Sequence, residues 1–235
     1  MNAKEQLQQY LSENPTIITV AGNIGLGKTT TAEALAADLG VLISRELDNN
    51  VLNQDLLWKF VGASAEEKPE HCYVLQDDLC YRRLEARRGK WISRRSFIED
   101  RTPEEDPVVL HRLFLKNGYL EQKQYDNLQG LWKAQVKKTP TSGIMIVLQG
   151  SAELAREGIE KRGRPGELEG WQLERDLKPM EQFYREFPGQ VGEYGLHNGV
   201  LVEVDRAVID PLQEKHREEI YGLIVSGLRS SGRNL

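Results

Sequence analysis

The sequence predicts a three-layer α/β fold in which helices flank a five-stranded parallel sheet. Two observations support this prediction. Short apolar or β-branched runs alternate with longer helical patterns, as in parallel sheets whose strands are joined by crossover helices. The first run is followed by a glycine-rich turn and a helical pattern, which is how a βαβ unit begins. The predicted strands cover residues 16–21, 41–44, 96–99, 143–148 and 200–204.

Local signals place the helices between these strands. A short amphipathic pattern stops before Pro15, the helix after the glycine-rich turn ends at Gly40, and Gly118 separates two helical segments. Because there is no internal repeat or low-complexity linker, we expect residues 1–235 to form one domain. The predicted helices cover residues 3–13, 29–39, 51–60, 70–88, 108–116, 121–137, 151–161, 171–186 and 210–229.

Composition argues against several classes of protein. The chain of 235 residues has a formal net charge of −5, whereas general nucleic-acid binding requires a basic surface, so no nucleic-acid partner is expected. No stretch approaches the ~20 apolar residues of a membrane span, and residues 1–14 resemble neither a secretory signal nor a transit peptide. Cys72 and Cys80 lack metal-site spacing and are expected to be reduced thiols. We therefore expect a cytoplasmic protein without a membrane partner.

The glycine-rich turn after the first strand fits the pattern G-x-x-x-x-G-K-[ST] of a P-loop. Its glycines let the backbone N–H groups point at phosphate oxygens, and the following helix adds its positive N-terminal dipole. Lys28 would neutralise β- and γ-phosphate charge, and the Thr29 hydroxyl would bind Mg²⁺. The motif predicts a nucleotide site without specifying the reaction. The predicted nucleotide-binding residues are Gly22, Asn23, Ile24, Gly25, Leu26, Gly27, Lys28, Thr29 and Thr30.

Polar residues follow two more predicted strands, at the sheet edge where ligands of such folds bind. Glu46 follows the second strand, and Asp100-Arg101-Thr102 follows the third. A carboxylate here can accept the proton of an acceptor hydroxyl, and an arginine can stabilise charge on a transferring phosphoryl group. Asp100 is also a candidate oxygen ligand for Mg²⁺, together with Thr29. Taken separately, Glu46 is compatible with a solvated loop acid, and Asp100 and Arg101 with a structural ion pair.

A later loop carries two arginines. Arg162-Gly163-Arg164 lies in a polar, glycine-containing segment, and residues 161–170 are predicted to form an arginine-rich lid. Guanidinium groups on a mobile loop are what a lid brings to nucleotide phosphates. The segment by itself leaves an ordinary charged loop open as the alternative.

Together, these motifs resemble the deoxyribonucleoside kinase family over about residues 16–185. The resemblance implies that Glu46 is the general base and that Glu167 binds the sugar 3′-hydroxyl. It also implies ATP with Mg²⁺ as phosphate donor, a deoxyribonucleoside as acceptor, and an adenine site near residues 205–209. Family members commonly form homodimers, for which the helices at 108–137 are candidates. The arginines that it places on the transferring phosphoryl group are Arg101, Arg162 and Arg164.

The resemblance extends to the nucleobase. Gln76 and Arg83 are seven residues apart on a predicted helix, so both can share one face. In the family such a helix faces the base, and the carboxylate that Asp106 matches pairs with its arginine. An amide like that of Gln76 both donates and accepts hydrogen bonds, which suits a base edge. The resemblance implies deoxyadenosine or deoxyguanosine as preferred acceptor, with deoxycytidine second.

Some positions depart from the family pattern on the acceptor side. Glu46 is followed by Leu47-Asp48 where the family has proline, so Asp48 is a second candidate base; Val51 replaces an aromatic residue. Gly158 stands where the lid helix often carries another arginine. Two alternatives therefore stay open: a kinase of another small or monophosphate acceptor, and a non-catalytic nucleotide-binding member of the family.

Overall fold

Five parallel strands form one sheet, in the order β2-β3-β1-β4-β5. The structure is a computed structural model that describes residues 1–45 and 53–233. The central strand β1 pairs with β3 on one side, through Ile18 and Ile98, and with β4 on the other. All five predicted strands are confirmed. Their bounds are β1 (Ile17–Gly22), β2 (Leu42–Ser44), β3 (Phe97–Asp100), β4 (Ser142–Gln149) and β5 (His197–Asp205).

Helices connect the strands and cover both faces of the sheet. Two single turns of π-helix, Asp106–Leu110 and Leu173–Leu177, and a 3₁₀ turn, Val191–Tyr194, lie between them. The α-helices are α1 (Ala3–Glu13), α2 (Lys28–Leu39), α3 (Gln54–Gly62), α4 (Lys68–Trp91), α5 (His111–Lys116), α6 (Gln122–Val136), α7 (Ala152–Arg162), α8 (Glu167–Gly170), α9 (Lys178–Gln190) and α10 (Glu214–Ser230).

Capping residues explain where several helices begin and end. Asn2 and Glu5 form a reciprocal capping box at the start of α1, and the Ser151 hydroxyl accepts a hydrogen bond from a backbone N–H in the first turn of α7. Gly40 and Gly163 end α2 and α7 in the left-handed conformation that glycine adopts without steric cost. These local signals are why the predicted boundaries of both helices lie within one residue of the observed ones.

Several predicted helices differ from the observed ones. The helix expected at 108–116 is preceded by the π-turn at Asp106, and the one expected at 171–186 begins as a π-turn and continues to Gln190, past Pro188. The loop expected at 162–170 contains the short α8, while Arg162 is the last residue of α7. The helix expected at 51–60 is α3, although residues 51 and 52 lie outside the described part.

The sheet separates two hydrophobic cores, which gives three layers. Alternating residues of a buried strand point to opposite faces. Ile144 and Ile146 of β4 pack with α1, α2 and α10, whereas Met145 and Val147 pack with α5, α9 and part of α4. Over the described residues, no helix combines the length and the apolar character needed to cross a membrane. The loops at the carboxyl ends of the strands form one edge of this sandwich, and the predicted site residues follow those ends.

Candidate active site

The phosphate loop connects β1 to α2 and has the backbone that its glycines allow. Gly25 and Gly27 have φ of 86° and 83°, and Gly27 is the N-cap of α2 without any side-chain cap. The N-terminal N–H groups of α2 therefore remain directed at the space that the loop surrounds. Lys28 Nζ donates hydrogen bonds to the carbonyl oxygens of Gly22 (2.6 Å) and Asn23 (3.2 Å), so the lysine side chain folds back over the loop.

Helix α7 packs directly against this loop through two glycines. A Cβ atom on Gly25 would lie 1.9 Å from the Ala155 carbonyl oxygen, and one on Gly158 would lie 2.0 Å from the Gly25 carbonyl oxygen. Both obstacles are backbone atoms, which cannot rotate away as a flexible side chain could. This close approach gives a physical reason for the departure noted at Gly158, because no larger residue fits there while the helix and the loop remain in contact.

Thr29 and Asp100 form the pair that the sequence predicts for a metal. The Thr29 hydroxyl donates a 2.7 Å hydrogen bond to Asp100 Oδ2, which joins the start of α2 to the end of β3. Hydroxyl and carboxylate oxygens fit Mg²⁺, which usually takes one or two protein ligands together with phosphates and water. The described residues contain no cluster of three or more acidic, histidine or cysteine side chains that could enclose a metal on their own.

Arg101 occupies an unusual backbone position immediately after β3. Its φ is 79°, in the left-handed region that a non-glycine residue rarely adopts, and its N–H donates to the Val20 carbonyl oxygen at 3.1 Å. Its Nε lies 3.5 Å from Glu105 Oε2. Strained backbone persists only where surrounding contacts enforce it, and such positions cluster at functional sites. The structure thus brings Arg101 to the same edge as Thr29 and Asp100.

The residues predicted to face the base lie together on α4 and the π-turn. Gln76, Arg83 and Asp106 are 2%, 8% and 0% exposed, and the Arg83 guanidinium pairs with the Asp106 carboxylate. Within the described ranges, Gln76 Oε1 has no hydrogen-bond partner. A buried amide oxygen without a partner is energetically costly, and a ligand that donates a hydrogen bond removes that cost.

His111 adds a polar group that the sequence analysis did not identify. It is fully buried, and neither ring nitrogen has a hydrogen-bond partner among residues 1–45 and 53–233. Burial, reinforced by the charge of Arg83, lowers the pKa of His111 to about 3, so the imidazole is neutral. The π-turn accounts for its position, since the His111 N–H bonds the Asp106 carbonyl five residues earlier. A histidine within a helical apolar run gives no local signal of this environment.

A buried ion network anchors α4 to the sheet. Arg87 is fully buried, with Nη2 lying 2.6 Å from Glu99 Oε2 on β3 and 3.4 Å from Glu104 Oε2. Burial raises the pKa of Glu99, which Arg87 opposes. This network was not predicted. The sequence did contain a signal of this network: the run Pro103-Glu104-Glu105-Asp106, which closely follows the third strand and Asp100-Arg101. Three adjacent acids near the edge where ligands bind are unlike an ordinary turn.

The three lid residues contact one another. Arg162 Nη2 lies 2.7 Å and Arg164 Nη1 3.7 Å from the Glu167 carboxylate, and both arginines are exposed. This places two cations and one carboxylate together beyond the end of α7. This arrangement does not confirm that the segment acts as an arginine-rich lid, because the two ion pairs join residues of the segment to one another and neither joins it to the phosphate loop.

The segment predicted to hold adenine lies against the phosphate loop. Arg206, which follows β5, donates from Nε to the Leu26 carbonyl oxygen at 2.9 Å, and its N–H donates to the Gln149 carbonyl oxygen at 2.8 Å. Burial lowers the pKa of Arg206. The predicted segment 205–209 is therefore fixed to the loop by an arginine that the sequence analysis did not single out.

The predicted general base lies outside the described residues. Glu46, together with the departures at Leu47, Asp48 and Val51, falls in the range 46–52.

Comparisons with known proteins show which chains resemble this one in sequence and in fold. A protein relative, deoxyadenosine/deoxycytidine kinase of Bacillus subtilis (strain 168), is 29% identical over 165 residues, which cover 69% of this chain and 72% of the relative. A solved structure of deoxyadenosine kinase from M. mycoides with bound dCTP has a TM-score of 0.67 at 22% identity, covering 91% of this chain and 99% of that one. The same enzyme with bound dATP also gives 0.67 at 22% identity, with coverages of 87% and 96%.

The solved structures establish the likeness of fold, and a family model establishes membership. The model for deoxynucleoside kinases matches residues 18–224, from β1 into α10, and so includes the phosphate loop, Asp100, the π-turn and α7. The chain therefore belongs to the deoxynucleoside kinase family of phosphotransferases.

Proposed function

We propose that the protein transfers the γ-phosphoryl group of ATP to the 5′-hydroxyl of a purine deoxyribonucleoside, which gives the 5′-monophosphate and ADP. One observation carries the proposal. The segment from Asp100 to Asp106 contacts the phosphate loop at one end, through Thr29, and the base-side Arg83 at the other. Seven residues thus connect the donor half of the site to the acceptor half.

On the donor side, the loop N–H groups and Lys28 would hold the phosphates, while Thr29 and Asp100 would hold Mg²⁺. When bound, Mg²⁺ neutralises charge on the β- and γ-phosphate oxygens. Arg206 would keep the loop in place beside the adenine segment, through its contact with Leu26. The family model, which spans these residues, supports nucleotide use.

On the acceptor side, the 5′-oxygen forms a bond to the γ-phosphorus as the bond to the β–γ bridging oxygen breaks, and ADP leaves. Glu46 would take the hydroxyl proton, and Arg101 would stabilise the charge on the transferring group. Arg162 and Arg164 would join it as a lid. Since both now contact Glu167, that role requires them to exchange this carboxylate for phosphate oxygens, which would release Glu167 to the sugar 3′-hydroxyl.

The base-side residues fit a base that carries an amino group beside a ring nitrogen, as adenine does. Within residues 1–45 and 53–233, the buried Gln76 Oε1 has no hydrogen-bond partner, and the same amide carries a donor, so Gln76 can bond an amino group and a ring nitrogen on one base edge. The Arg83–Asp106 pair supplies further fixed donors and acceptors. The B. subtilis relative and the M. mycoides enzyme are both named for deoxyadenosine, which favours adenine among the purines.

The test is turnover with each of the four deoxyribonucleosides and MgATP, measured as 5′-monophosphate formed. We expect deoxyadenosine or deoxyguanosine to have the largest kcat/KM. Thymidine preference would refute the assigned base pocket and leave the reaction intact. No product from any of them, with ATP still bound, would refute the reaction and favour a non-catalytic role.

A second measurement tests the base. Glu46→Gln should lower kcat by about 10²–10⁴-fold while ATP still binds, because the amide cannot accept the hydroxyl proton. Asp48→Asn is the matched control, since it removes the neighbouring carboxylate. An unchanged kcat in Glu46→Gln together with a large loss in Asp48→Asn would reassign the base to Asp48.

We also propose that the chain is one kinase domain that forms a homodimer in the cytoplasm. The single sheet supports one domain, and the two free, buried cysteines suit a reducing compartment. Helices in the range 108–137 expose no large hydrophobic side chain, whereas α4 exposes Val74 and Tyr81, seven residues apart on one face. The dimer surface is therefore better sought on α4, and the molecular mass in solution tests it.

A further inference from the structure

Glu105 connects the two halves of the site more extensively than any predicted residue. Its carboxylate is fully buried. Oε1 accepts hydrogen bonds from the Gly22 N–H (3.1 Å) and from the Tyr184 hydroxyl. Oε2 accepts from the Thr102 N–H (3.1 Å) and lies 3.5 Å from Arg101 Nε. One side chain thus contacts the first residue of the phosphate loop, the strained turn after β3, and α9.

We propose that Glu105 is a positioning residue for phosphoryl transfer, which holds Arg101 at a fixed place relative to the phosphate loop. This inference rests on the proposed function, in which Arg101 acts on the transferring group. Phosphoryl transfer depends on positioning and on electrostatic stabilisation, and a misplacement of about 1 Å can cost 10²-fold in rate. A residue that fixes the position of Arg101 relative to the phosphate loop therefore affects kcat without contacting the substrate.

Three features support positioning over a purely structural role. Oε2 forms a 3.5 Å ion pair with Arg101 Nε, so a fully buried negative charge attracts the guanidinium toward the phosphate-loop side of the site. The other carboxylate oxygen contacts Gly22, where the loop leaves β1, so one rigid carboxylate spans both parts. The turn it supports contains Arg101 at a φ of 79°, which a charged hydrogen-bond acceptor for Thr102 N–H stabilises.

The chain offers a matched control in Asp38. Like Glu105, Asp38 binds an arginine and a tyrosine hydroxyl, with Arg217 Nε at 2.6 Å and the Tyr221 hydroxyl at 2.9 Å. It lies near the C-terminal end of α2, at the opposite end of that helix from Lys28 and Thr29. Asp38→Asn should lower the melting temperature and leave kcat within about twofold of wild type.

The experiment is a double-mutant cycle between positions 105 and 101, with deoxyadenosine and MgATP. Glu105→Gln keeps the shape of the side chain but replaces one acceptor oxygen by a donor. We expect it to lower kcat by about 10–100-fold, with KM for both substrates changed much less. In an Arg101→Ala background the same substitution should cost less than about threefold, because the arginine that it positions is absent.

The outcomes distinguish the two roles. Losses in kcat that multiply in the double variant would overturn the positioning role, as would a kcat loss in Asp38→Asn as large as that in Glu105→Gln. If Glu105→Gln does not fold, Glu105→Asp takes its place, because aspartate keeps the negative charge on a side chain that is one methylene shorter. The same dependence on Arg101 is expected for that variant. Wild-type protein without turnover on any nucleoside would overturn the proposed function as well.

Discussion

Lowering the pH should destabilise the fold through His111. The ordinary pKa of histidine is 6.5, and burial together with Arg83 lowers that of His111 to about 3. Between these values the unfolded chain binds a proton that the folded chain does not, so stability is present above pH 6.5 and falls as the pH falls toward 3. Each pH unit in this range corresponds to about 1.4 kcal/mol. Between pH 7.5 and pH 5, the free energy of unfolding should therefore decrease by about 2 kcal/mol through this one residue.

The assay compares wild type with His111→Leu and His111→Gln in urea unfolding at both pH values. Carboxylates elsewhere also titrate, but they do so equally in all three proteins, and the difference between proteins isolates His111. On acidification, the free energy of unfolding of both variants should decrease by about 2 kcal/mol less than that of wild type. For a domain of this size, that difference corresponds to about 4–8 °C in melting temperature. The leucine variant should also be the more stable of the two at pH 7.5, because it leaves no buried polar group without a partner. Equal pH dependence in all three proteins would refute the neutral, desolvated histidine.

Three further predictions concern contacts around the site. Gly158→Ala would place a methyl group 2.0 Å from a phosphate-loop carbonyl oxygen and should raise KM for ATP about tenfold or more. Gly130→Ala is the control, because it lies in open space on α6; it should leave KM for ATP unchanged and slightly raise the melting temperature. Arg206→Lys lacks the Nε donor to the loop and should raise KM for ATP by about 3–10-fold, and an unchanged KM would contradict its positioning of the loop. Asp106→Asn removes the carboxylate that pairs with the buried Arg83 and should lower the free energy of unfolding by about 3 kcal/mol, which urea unfolding measures; a change below about 1 kcal/mol would contradict a large contribution of this pair.

The sheet and the phosphate loop were predictable because their signals are local. The buried strands are short apolar runs, and the glycines that permit positive φ in the loop lie within eight consecutive residues. The contact between Thr29 and Asp100 followed from parallel strands, whose carboxyl ends share an edge. The pairing of Arg83 with Asp106 required the resemblance to a family, because helix spacing alone gives no partner for Arg83.

Other features could not be predicted because they depend on segments that meet only in the fold. The acidic run that contains Glu105 signals an unusual turn, but no spacing in the sequence shows that groups from Gly22 and Tyr184, about 80 residues away on either side, converge on Glu105 and bury it. Gly158 was identified as the loss of an arginine, but its reason is the distance between α7 and Gly25, which no sequence spacing specifies. Both cases concern the approach of one backbone or side chain to another across the sheet edge.

The buried ion network on α4 has a consequence for how substrate preference could change over time. Arg87 ties the C-terminal half of this 24-residue helix to β3, about 16 Å along the axis from Gln76. Gln76, which would face the base, is thus separated from the part of the helix that the ion network fixes to the sheet. Substitutions around Gln76 can alter which nucleoside fits. The contacts of Arg87 meanwhile keep the helix in the same position relative to the sheet. We therefore expect variation among close homologues to concentrate around position 76 and to spare position 87.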